Sequence, residues 1–73
     1  MYIKVKDKLI NLDMATIIDV AAKTHTYNPK ESNYDEIANC VRISFGATDI
    51  EFINEEADTA RAEIRHAFEG YLI

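Results

Sequence analysis

One cysteine, two histidines and a surplus of carboxylates are the residues of this 73-residue chain that could do chemistry. A nucleophilic centre would be built on Cys40 or a serine, with a histidine as base and a third group to orient it. Cys40 stands between Asn39 and Val41 in a run that alternates as a strand does. Alternation puts it on the face of Ala38, Arg42 and Ser44, opposite Val41. Arg42 on that face would favour a thiolate. The spacing nonetheless reads as a small half-buried residue rather than a reactive thiol. A metal centre would draw on His25, His66, Cys40 and nearby carboxylates. The two histidines fall in different elements, and no His-x-His or His-x₃-His spacing sets two ligands on one face. No catalytic residue, metal ligand or cofactor is assigned from these patterns.

The remaining chemistry is equally sparse. The carboxylate pairs Asp35-Glu36 and Glu55-Glu56 fall at surface positions, without the burial that general-acid work needs. The two glycines are isolated and make no phosphate-binding loop. The aromatic residues do not interleave with basic ones in a base-stacking pattern. What is left is a candidate interaction surface of His25, Tyr27, Tyr34 and Arg42. Tyr27 and Tyr34 flank a polar stretch, and tyrosine is enriched where proteins meet.

These residues must be positioned by a small number of elements. Ile3 and Val5 alternate with Tyr2, Lys4 and Lys6, which predicts a first strand. Asp7-Lys8 predicts a turn, and residues 9–12 a second strand. Lysines on the outer face of this hairpin discourage edge pairing. Residues 14–24 fit both the helical and the strand template. Their β-branched density (Thr16, Ile17, Ile18, Val20, Thr24, Thr26) favours a strand over 16–27, preceded by one helical turn near 12–14. Residues 28–36 are polar and contain the only proline, which predicts a loop of about nine residues. Residues 37–45 follow as a strand whose Ile37, Val41, Ile43 and Phe45 point one way. Asn39 breaks that face, as a bulge or strand end does.

A turn at residues 46–49 and a strand over 50–53 lead to a change of period. From Asn54 the apolar residues fall at Ala57, Ala60, Ile64, Ala67, Phe68, Tyr71 and Leu72, the spacing of an amphipathic helix. Asn54 is the predicted N-cap, its side chain accepting from a free N–H. Glu55, Glu56 and Asp58 suit the positive end of the helix dipole, with Arg61, Arg65 and His66 later. Gly70 is the predicted stop, with Tyr71, Leu72 and Ile73 as a tail. The fold class is therefore α+β: one domain over 1–73, an antiparallel sheet of about four or five strands, and a single C-terminal amphipathic helix packed on one face.

Composition narrows the classes. The chain is 48% hydrophobic and 29% charged, with net charge −5. That balance is globular and weighs against nucleic acid, whose affinity rests on neutralising phosphates. No apolar run spans a bilayer and no apolar leader is visible, so a soluble cytoplasmic protein is expected. A single cysteine forbids an intrachain disulfide. A domain this small is marginal by itself. Apolar residues on both parities of the strands ask for cover on both sheet faces, and one helix covers part of one. A homodimer or higher homo-oligomer, formed through sheet edges or the uncovered face, is the expected remedy.

The strings Ile10-Asn11-Leu12-Asp13, Ile18-Asp19-Val20, Val41-Arg42-Ile43-Ser44-Phe45, Ile50-Glu51-Phe52 and Glu55-Glu56-Ala57 resemble a group of small bacterial proteins in which a β-meander precedes one C-terminal helix. The resemblance implies that order of elements and no activity. Three functions stay open at this level. The first is a non-enzymatic interaction module that acts as a homo-oligomer and binds a protein or peptide. The second is a nucleic-acid-associated regulator using Lys4, Lys6, Lys8 and Arg42. The third is a small ligand-binding or enzymatic subunit with a site at the oligomer interface near His25, Tyr27 and His66.

Overall fold

Five strands and one helix form in the expected order, but the strands divide between two sheets. A computed structural model of the chain describes residues 1–69. Strands β1 (Tyr2–Val5) and β2 (Lys8–Asn11) make an antiparallel hairpin. A single 3-10 turn, Leu12–Met14, follows, capped by the Asn11 side chain, which accepts the Asp13 N–H at 3.0 Å. Strands β3 (Ile17–Asn28), β4 (Asn33–Phe45) and β5 (Thr48–Ile53) form a three-stranded antiparallel sheet with β4 in the centre. Helix α1 (Glu55–Ala67) lies against β1, β4 and β5.

The β-branched run is strand from Ile17 on, and Ala15 and Thr16 separate it from the 3-10 turn. Gly46 supplies the positive φ (76°) that the tight turn between β4 and β5 needs. The core gathers Ile3 and Val5 from β1, Ile10 from β2 and Leu12. Val41, Ile43 and Phe52 come from the central sheet, and Ala57, Ala60 and Ile64 from α1. The buried alanines of α1 let it sit close to the strands. The N-terminal hairpin thus shares with the helix the task of covering one sheet face.

Three expectations are corrected. First, the nine-residue loop is a short turn. The ladder between β3 and β4 continues out to Asn28↔Asn33, leaving only residues 29–32 outside the strands. Asn28 Oδ1 accepts the Lys30 N–H at 3.0 Å and closes the turn, and Ser32 takes a positive φ. Second, Ile37 does not share a face with Val41 and Ile43. Register shifts lie between Asp19 and Ala22 and between Ala22 and Thr24. Each inserts one residue, and the second re-aims everything in β4 before Asn39.

Third, Asn54 does not cap α1 through its side chain. Its backbone sits at φ 55°, ψ −120°, the geometry that the first central position of a type II′ turn takes and that glycine favours. The helix is entered through backbone bonds instead. The Asn54 N–H donates to the Asn39 carbonyl, and the Asn54 carbonyl accepts from Asp58 N–H. An asparagine held there costs about 1–3 kcal/mol of strain. Asn54→Gly is therefore expected to stabilise the fold by about 1 kcal/mol, after glycine's greater unfolded-state entropy is set against the strain relieved. Thermal melting should show a rise of about 4–8 °C. An unchanged or lower midpoint would mean that the backbone there is unstrained. The predicted stop at Gly70 and the tail after it lie outside the described residues.

Candidate functional site

The strands β3 and β4 run past the body of the molecule as a two-stranded arm. Asn39 on β4 bonds to Asp58 and Arg61 of α1, and beyond it the two strands pair with each other, with Thr24 bonded across to Glu51 of β5. No residue from 23 to 39 is buried. The cause is local: α1 and the N-terminal hairpin pack on the other half of the sheet, so neither face of the arm is covered. The arm is about 20 Å long at strand rise. Its outer end carries a tilted aromatic pair, Tyr27 and Tyr34, with ring centroids 5.2 Å apart. They are directly paired in the ladder and remain 54% and 65% exposed.

Strand alternation and the two bulges fix what each face of the arm presents. Lys23, His25, Tyr27, Tyr34 and Glu36 lie on the helix side, and Lys23 Nζ meets Glu36 Oε1 at 3.6 Å across the strands. Thr24, Thr26, Asp35 and Ile37 lie on the other side. Thr24 belongs there because its Oγ1 donates to Glu51 Oε1 at 3.5 Å. His25, Tyr27 and Tyr34 are thus on one face of the arm. Arg42 is not with them. It is in the body of the sheet, on the far face, in a cross-strand row with Asp19 and Glu51.

That far face holds a polar cluster around Cys40. Arg42 donates through Nε (3.1 Å) and Nη2 (2.8 Å) to Glu51 Oε2, and through Nη2 to the Lys23 carbonyl at 2.9 Å. The Cys40 thiol donates to the same Glu51 oxygen at 3.7 Å. Cys40 is wholly covered, between Ala22 and Ile53 in its cross-strand row. Burial raises its pKa, and the charge and hydrogen bond of Glu51 raise it further. The opposing pull of Arg42 is weaker. The arginine that would have activated the thiol is committed to Glu51, so Cys40 stays protonated and inert at neutral pH. Glu51 reaches Cys40 from another strand, which is why the sequence alone points to activation instead.

A second surface lies between α1 and β3. Ile18, Val20, Ile64 and Phe68 line an open groove of about 320 Å³, with Arg61 and Arg65 along its helix side. Its size is at the low end for ligand pockets. It exists because α1 packs over β4 and β5 and leaves β3 as an uncovered edge. Val20, in the bulged part of β3, is 40% exposed there. Arg61 is fully engaged: Nε donates to the Val20 carbonyl at 3.0 Å, Nη2 to Asn39 Oδ1 at 3.0 Å and Nη1 to Asp58 Oδ1 at 3.3 Å. Arg65 has no such partner among the described residues and is exposed. Sequence reasoning does not find this groove, since it depends on where the helix crosses the sheet.

The residues of the other readings are dispersed. Lys4 and Lys8 are on the N-terminal hairpin and Lys6 is in its turn, whereas Arg42 belongs to the other sheet. His66 is near the end of α1, paired with Glu69 at 3.5 Å, and His25 is on the arm. No group of three or more His, Cys, Asp and Glu side chains is arranged to hold a metal ion among the described residues. No helix among them is long and apolar enough to cross a membrane. Comparison with protein-family models, with curated proteins and with solved structures finds no match. The functional reading therefore rests on these surfaces alone.

Proposed function

We propose that the protein is a non-enzymatic interaction module that acts as a homo-oligomer and whose contact element is the β3–β4 arm. The observation that carries this is the arm itself. It is a two-stranded ribbon with no residue buried and an aromatic pair at its outer end. A two-stranded hairpin in water is marginal at best, so a long uncovered one is a poor investment unless something covers it. Tyr27 and Tyr34 offer large, stiff, amphipathic contact area of the kind that anchors protein interfaces. The polar groups around them are the lone Lys23–Glu36 pair and the bond from Asn28 Nδ2 to Asp35 Oδ2 (3.1 Å), both on the surface. Surface pairs of this kind contribute little to stability, about 0–1 kcal/mol, so they do not account for the length of the arm.

Light scattering on the purified chain tests the oligomeric part. A dimer or larger species at high micromolar concentration is expected, and Tyr27→Ala with Tyr34→Ala should shift the equilibrium toward monomer. A wild-type chain that is monomeric at that concentration would overturn the reading.

A further inference from the structure

We draw no further inference here: the strongest candidate, the open groove between α1 and β3 lined by Ile18, Val20, Ile64 and Phe68, is an unpartnered apolar face, and nothing in the structure shows what covers it.

Discussion

Replacing Ile43 with alanine is expected to destabilise the protein by about 3 kcal/mol, within the range of about 2–5 kcal/mol for truncating a buried isoleucine. Among the described residues Ile43 is the largest of the fully buried side chains, with no accessible surface. It is on the central strand, in a cross-strand row with Ile18 of β3 and Ile50 of β5. Its removal therefore opens a cavity under α1 that three strands would have to move to close. A domain of this length has about 4–11 kcal/mol of total stability, so the loss is a large fraction of the whole. Thermal melting should fall by at least about 12 °C, at about 4–8 °C per kcal/mol for a chain of this size. Ile17→Ala is the matched comparison. Ile17 is the same residue type on the same sheet and is 62% exposed. Its truncation should stay within about 0.5 kcal/mol. Equal effects at the two positions would mean that the far face of the sheet is also covered in solution.

The contrast between these two isoleucines bears on what a sequence can reveal. The strand, turn and helix periods of the second half are visible because the apolar residues of each element there fall on one face at that element's own period. The strand over β3 is visible through its β-branched density, although the spacing fits a helix as well. Of the arm, only the β3 half is visible, as the end of the strand over 16–27. The β4 half, from Asn33 to Glu36, is polar on both parities apart from Tyr34 because nothing covers either face, and such a run reads as a loop. The bulges are hidden for a related reason. Period-2 reading carries Ile37 onto the face of Val41, and the one-residue slip that reverses it is decided by the partner strand. Asn54 has the right residue type for a cap. Its backbone is instead set by the route from β5 into α1, which no local preference encodes. Of the four candidate surface residues, the three on the arm cluster because they are near one another across a ladder. Arg42 separates from them because it stands further along β4, beyond a register shift that turns it to the other face.

Asn39 shows how much of the assembly can hang on a residue that sequence reading marks only as a break in an apolar face. Its side chain makes three hydrogen bonds. Nδ2 donates to the Asn54 carbonyl at 3.0 Å and to Asp58 Oδ1 at 2.9 Å, and Oδ1 accepts from Arg61 Nη2 at 3.0 Å. Its backbone carbonyl accepts the Asn54 N–H at 2.9 Å. Through Arg61, which also donates to the Val20 carbonyl, the network ties β4, α1 and β3 together at the root of the arm. Asn39→Ala is expected to cost about 2 kcal/mol by chemical denaturation, since a typical hydrogen bond contributes about 0.5–1.5 kcal/mol net and water can reach part of this site. Asn39→Asp sharpens the test. It keeps the acceptor that faces Arg61 but replaces the donor with an oxygen facing the Asp58 carboxylate and the Asn54 carbonyl. It should cost at least as much as alanine at neutral pH. A double-mutant cycle with Arg61→Ala should show a coupling of about 0.5–3 kcal/mol, because the two side chains share one network. If Asn39→Ala and Arg61→Ala are simply additive, the network is not a unit, and the entry into α1 depends on the backbone bond of Asn54 alone. In that case Asn54→Gly should still stabilise the fold, because it leaves that backbone bond in place and removes only the strain beside it.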